Sequence, residues 1–159
     1  MWKFLVQEKP AGIILVLREG ETYPSAVAKK VGTTFAHALH VLAKLEEAGL
    51  VTSREEGRIR RVKLTERGEE LASILERLKG MVEVVEAYVE LEDLYVKEVK
   101  SKLREEVNRE EVMKRLESLR GRMGRLTQRE DEVGRRAKKF LERVEEVERE
   151  VKGIVVGQG

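Results

Sequence analysis

Thr34, Phe35, Ala36, His37, His40 and Lys44 lie within one short helix-forming segment, and Arg54, Arg58, Arg60 and Arg61 follow it closely. Their types and spacing suit contact with a nucleic acid. Hydroxyls and helix N-terminal N–H groups suit phosphate oxygens, imidazoles and small apolar groups suit base edges, and arginine suits phosphate or the minor groove. Over residues 54–63, five basic side chains (Arg54, Arg58, Arg60, Arg61, Lys63) face two acids (Glu55, Glu56), a local charge of +3 in a chain whose total is only +2. That concentration of charge points to a nucleic-acid surface rather than to solubility alone.

The elements that must position these groups can be read from periodicity. A first short helix is expected after Pro24, with Ser25 as N-cap and Ala26, Val27, Ala28 and Val31 on it, stopping at Gly32. Thr33 and Thr34 then open a second helix, whose buried stripe is Ala38, Val41, Leu42 and Leu45 and past which Gly49 sits where a left-handed C-terminal cap is wanted. Residues 50–53 and 59–64 read as strands joined by the polar segment 54–58. The order is helix, tight turn, helix and basic hairpin, with Ser25, Thr33, Thr34, Phe35, Ala36, His37, His40, Lys44, Arg54, Arg58, Arg60 and Arg61 as the candidate DNA-contacting set. Upstream, residues 11–19 read as a helix with Pro10 at its start and Gly20 past its end, and 21–23 as an extended segment beside a wing strand. Trp2, Phe4, Leu5 and Val6 are too apolar to hang in water and should pack on the domain or on a partner chain.

KLEEAGLV (residues 44–51) and RRVKLTERGEEL (residues 60–71), correctly spaced in one chain, make residues 10–79 resemble the winged helix-turn-helix domain of the MarR and ArsR superfamilies of prokaryotic transcription regulators. The resemblance implies that Thr34, Phe35, Ala36, His37, His40 and Lys44 are reading positions and that Arg58, backed by Arg60 or Arg61, is the wing residue. The start of this helix, with Phe35, Ala36, Ala38 and Leu39, is less polar than is usual in such regulators, which leaves apolar contact with thymine methyls or mainly phosphate contact as alternatives. Phe35 is as well suited to a core as to a base contact.

Composition bounds the other classes. With 39% charged and 4% aromatic residues over 159 positions, the chain is thin for one large globular core, and an elongated helical part is expected. The absence of cysteine removes disulfide and thiol chemistry and fits a reducing cytoplasm; no apolar run reaches the ~18 residues of a membrane span. Very few Asn and Gln against 32 basic and 30 acidic residues is the bias of proteins from hot environments. His37 and His40, the only histidines, have no acidic residue in the same helical turns, so no metal site and no cofactor is expected. A phosphate-cradling glycine loop and a cysteine nucleophile are both lacking, so an enzyme is not expected.

From Thr65 onward the pattern is helical. Leu71, Leu75, Leu78, Val82, Val85, Val89, Val96, Val99 and Leu103 form one stripe, broken only by Glu92. Val112, Leu116, Leu119, Met123, Leu126, Val133, Ala137, Phe140, Val144, Val147, Val151 and Ile154 form a second, broken by Glu130. Both are heptad seams. Asn108, with Glu111 three residues on, marks a helix start; Thr127 and Glu130 repeat the signal near Gly121 and Gly124, but the stripe keeps phase there and two long helices are expected. Folded back at Asn108, the seams would pair Leu103 with Val112, Val96 with Leu119, Val89 with Leu126 and Leu75 with Phe140. A flanking row of Ile74, Met81, Tyr88, Leu91 and Tyr95 then calls for a further partner, either a second copy of the chain or a bundle within one monomer.

The expected fold is therefore mainly α with a small β-hairpin wing: a winged helix-turn-helix domain over 1–79, a helical, antiparallel coiled-coil dimerisation region over 80–152 and a Gly-bounded tail over 153–159. The dimerisation set is Leu78, Met81, Val82, Val85, Tyr88, Val89, Leu91, Tyr95, Val96, Val99, Leu103, Val133, Phe140, Val144 and Val147. The expected function is that of a cytoplasmic, homodimeric, sequence-specific regulator on double-stranded DNA, with the helix at 34–48 in the major groove and the wing at 54–63 on the backbone or minor groove. An architectural DNA binder of low specificity and a winged-helix protein-docking scaffold are the alternatives. Nothing in the sequence marks a small-molecule effector.

Overall fold

The computed structural model describes residues 1–154, so the expected tail lies mostly outside them. The chain divides into two units, Met1–Arg77 and Leu78–Gly159.

In the first unit, α1 (Trp2–Leu5) and α2 (Glu8–Arg18) precede α3 (Pro24–Val31), α4 (Phe35–Glu47) and an antiparallel hairpin of β1 (Val51–Glu56) and β2 (Ile59–Leu64). α2 begins three residues earlier than its proline suggested, because Pro10 lacks only an N–H that a first helical turn leaves unpaired anyway. Ser25 is not a cap: Pro24 holds the first helical position, Tyr23 is the N-cap, and the Ser25 side chain lies inside the first turn. α3 ends at Gly32, whose φ of 66° gives the left-handed cap that turns the chain into α4. There Thr34 is the cap, its Oγ1 accepting from the His37 N–H at 3.2 Å. Ala38, Val41, Leu42 and Leu45 are the buried residues of α4, and the last three meet Ile13, Ile14 and Leu17 of α2, Val27 of α3, and Val51, Val62 and Leu64 of the hairpin in a single core. Thr22 and Val62 exchange both backbone hydrogen bonds (3.0 and 2.7 Å), adding the extended segment at the hairpin edge. Phe4 and Leu5 pack half-buried on this core, whereas Trp2 and Val6 are exposed.

β1 runs to Glu56, farther than residues 50–53, and the loop is only Gly57 and Arg58. Arg54, Glu55 and Glu56 are therefore strand residues, not a loop tip. Gly57 has φ 64° and no non-glycine residue has positive φ among the described residues, which makes a type II′ turn matching the twist of the strands.

α5 (Glu66–Tyr95) starts in the first unit, with the Gly68 N–H donating to Thr65 Oγ1 at 3.1 Å, and the unit boundary falls inside it. In the second unit, α5 gives way to a π-helical turn at Val96–Lys100 and a 3-10 turn at Arg104–Glu106. α6 (Arg109–Gly124) and α7 (Glu132–Gly153) follow, with a 3-10 turn at Arg125–Gln128 between them. The expected second long helix is thus two. Asp131 accepts from the Gly134 N–H at 3.2 Å and starts a new helix, as Asn108 does for α6 by accepting from Glu111. Glu130, the exception in the second seam, lies exposed outside both helices.

The core of this unit brings Val84, Ala87, Leu91, Leu94 and Val99 against Val112, Leu116, Leu119 and Met123 of α6 and Val133, Ala137, Phe140, Val144, Val147 and Val151 of α7. Met81, Tyr88 and Tyr95 pack on it, with the Tyr88 and Phe140 rings edge to face at 5.0 Å. Of the row expected to flank the seam, Leu91 is buried and Met81, Tyr88 and Tyr95 face inward half-buried, whereas Ile74 is exposed. The pairings of Leu103 with Val112, Val96 with Leu119 and Val89 with Leu126 do not form, because Leu103, Val96 and Val89 are exposed; Leu75 packs on the core of the first unit. Of the expected dimerisation set, Leu91, Val99, Val133, Phe140, Val144 and Val147 are buried in their own chain, Met81, Tyr88 and Tyr95 are half-buried there, and only Leu78, Val82, Val85, Val89, Val96 and Leu103 remain exposed. The wider and bulkier row covers more area against two helices, which decides the orientation. Ion pairs flank the packing, including Arg120 to Glu148 at 2.8 Å and Arg143 Nε to Glu92 at 3.2 Å. Glu92 interrupts the seam because it reaches α7.

Candidate nucleic-acid interface

Along α4 the core stripe fixes which side chains face outward. Thr34, Phe35, Ala36, His37, His40 and Lys44 are exposed, and Thr33 is half-buried in the turn before the helix. Phe35 is 53% exposed, outside the core. Thr34 takes the His37 N–H, and among the described residues the N–H groups of Phe35 and Ala36 have no acceptor, so they point from the positive end of the helix toward solvent. Lys44, in the third turn, sits 5.2 Å above the Phe4 ring, which orients its ammonium without neutralising it. Ser25 is exposed near the start of α3, beside the wing.

On the wing the register sets Arg54 directly opposite Arg61, a repulsive cross-strand pair. Carboxylates offset it. Glu21 accepts from both Arg54 Nε and Nη2 at 3.1 Å, and Glu56 accepts from Arg61 Nε at 2.7 Å. The Arg54 hydrogen bonds hold the Glu21 carboxyl below its ordinary value, and the same contact raises the Arg54 guanidinium. Arg60 donates to Glu46 of α4 at 2.6 Å. Glu46 also accepts from the Ser53 hydroxyl at 2.6 Å and the Ser53 N–H at 3.2 Å, so one carboxylate ties both wing strands to α4.

The local +3 of residues 54–63 is therefore largely compensated by Glu21 and Glu46, which lie outside that stretch. Among the described residues neither Arg58, at the turn, nor Lys63, near the base of β2, has a carboxylate within ion-pair distance; they are the wing cations left for a ligand, with Lys44 on the helix. Three features were not singled out in the sequence: Glu46, Glu21, and the apolar wall that Tyr23, Leu39 and Ile59 form with Phe35 between α4 and the wing. Ile59 opposite Glu56, at the end of a strand whose inward positions are Val62 and Leu64, breaks the apolar-in, polar-out alternation and was the available signal. Among the described residues no group of three or more His, Cys, Asp or Glu could hold a metal ion, and no helix is long and apolar enough to cross a membrane.

The family described as the DUF6293 C-terminal winged helix domain matches residues 29–76. An uncharacterized protein of Archaeoglobus fulgidus is 27% identical over 89 residues, which are 53% of this chain and 90% of that protein. Among solved structures, AF1382 from Archaeoglobus fulgidus is 26% identical with a TM-score of 0.44, over 53% of this chain and 94% of its own. ZitR from Lactococcus lactis is 24% identical with a TM-score of 0.46, over 76% and 84%. The helix, turn, helix and hairpin of α3, α4, β1 and β2, which the family match covers from the end of α3 onward, make the N-terminal unit a winged helix-turn-helix domain.

Proposed function

We propose that the protein is a homodimeric, sequence-specific DNA-binding regulator of transcription, with α4 entering the major groove and the wing lying on the backbone or in the minor groove. The observation that carries this reading is the exposed start of α4. Its unpaired Phe35 and Ala36 N–H groups, His37, His40 and Lys44 stand beside a wing whose turn offers the uncompensated Arg58. Phosphates suit the N–H groups and the cations; base edges suit the outward side chains of the first two turns. Self-association would use the outer face of α5, where Leu78, Val82, Val85 and Val89 repeat at steps of four and three and are each about half exposed or more.

Selection from a random duplex pool at two salt concentrations, with wild type and the Arg58→Glu, Lys44→Glu variant side by side, tests the reading. Enrichment of a near-palindromic site, lost in the variant, is the expected result; binding without enrichment is that of an architectural protein. The compensated wing arginines favour a second reading, a scaffold that docks a protein, and its mark is the absence of duplex binding by either form.

A further inference from the structure

The bidentate side chains that read guanine or adenine are missing from the first two turns of α4: residues 35–42 contain no Arg, Lys, Asn or Gln. Apolar groups stand in their place. Phe35 and Leu39, one turn apart, form with Tyr23, Pro24 and Ile59 a cleft of about 470 Å³ between the reading helix and the wing, which Ser25, Arg58 and Arg60 also line. Tyr23, Phe35 and Ile59 are each about half exposed, and neither they nor Leu39 belong to the core cluster beneath. Burying them would release apolar surface that folding leaves in water. No acid lines the cleft; of its two arginines Arg60 is held by Glu46, and Arg58 has no ion-pair partner among the described residues, so its charge suits a phosphate-bearing partner.

We infer that this cleft is a thymine-methyl reader: Phe35 and Leu39 discriminate A·T from G·C steps in the major groove by burying C5-methyl groups, while Arg58 engages the adjoining phosphate. The inference rests on the DNA-binding reading above and names how that same surface selects its sequence. Among the bases, the C5-methyl is the apolar feature of the major groove, and it disappears in deoxyuridine without any change in base pairing.

The test compares duplexes of one sequence with thymine or deoxyuridine throughout. The sequence is one enriched from the random pool, or alternating poly(dA-dT) against poly(dA-dU) if nothing is enriched. Wild type should lose about fourfold in affinity per contacted methyl on the deoxyuridine duplex, the equivalent of one buried methyl group. The Phe35→Ser and Leu39→Ser variants, melted first to confirm folding, should each discriminate less between the two duplexes, so the mutant cycle separates methyl contact from altered DNA stiffness. Equal affinity of wild type for both duplexes overturns the inference while the DNA-binding reading stands. Undiminished discrimination in both variants removes these two side chains from it. Binding to neither duplex at low salt sinks the DNA-binding reading itself, and the cleft then belongs to a protein ligand.

Discussion

The two faces of α5 within the second unit are built from the same kinds of residue and meet different fates. Val84, Ala87, Leu91 and Leu94 are at most 1% exposed beneath α6 and α7, while Val85 and Val89 are 55% and 66% exposed on the other side. Apolar character alone therefore does not say which face a helix buries within its own chain. Total area does: the inward row adds Met81, Tyr88 and Tyr95, and meets two helices rather than one. The outer row has the narrower heptad spacing of a seam between two helices.

Substitutions can break this contrast. Leu91→Ala on the inner face should cost the second unit about 2–5 kcal/mol, read as a lower denaturation midpoint at an unchanged m-value. Val85→Ser with Val89→Ser on the outer face should shift thermal stability within ~0.5 kcal/mol at protein concentrations too low for self-association. At higher concentration the same pair should sediment as a monomer where wild type sediments as the proposed dimer. A monomeric wild type, or an outer-face variant as unstable as Leu91→Ala, would erase the distinction.

Smaller effects sharpen it. Arg58→Glu should lower the slope of log affinity against log salt by about one contact, whereas Arg54→Gln should change it less, since Arg54 already has Glu21. Asp131 supplies a pH test confined to the second unit. Its carboxyl is lowered from 3.8 to about 2, chiefly by the Arg129 side-chain hydrogen bonds and further by the Gly134 N–H. A carboxyl lowered on folding stabilises fully above its unfolded value and loses that contribution as pH falls through the folded one. The melting-temperature advantage of wild type over Asp131→Asn should therefore shrink as the pH drops from about 4 toward 2, and a constant difference over that window would show that ionisation of Asp131 is not involved.

Much of the first unit was legible because its signals are local. The stripe of Ala38, Val41, Leu42 and Leu45 has one period and one side to bury, and the turn at Gly57 has one sterically easy occupant. Ser25 misled because an N-cap signal and a proline N1 signal overlapped, and proline is the stricter of the two. The second unit was less legible for two reasons. Two apolar rows on one helix compete, and periodicity gives each the same phase coherence. Two glycines that leave a stripe in register also hid the end of α6, although the Asp131 cap beyond them starts a new helix. On the candidate interface, the outward residues of α4 followed from its stripe. The pairing of Arg54 and Arg60 did not, because Glu21 precedes Arg54 by 33 residues and Glu46 precedes Arg60 by 14, separations that only the tertiary fold closes.

The carboxylate of Glu46 has a consequence for timing. By holding Ser53 and Arg60 at once, it links helix and wing in the free protein, so their spacing is set before a ligand arrives. A hairpin tethered in this way loses little freedom on docking, and the surface meets its ligand as a rigid ruler of two marks rather than as a helix followed by a searching arm. Only a partner whose own features repeat at that interval can touch both marks at once.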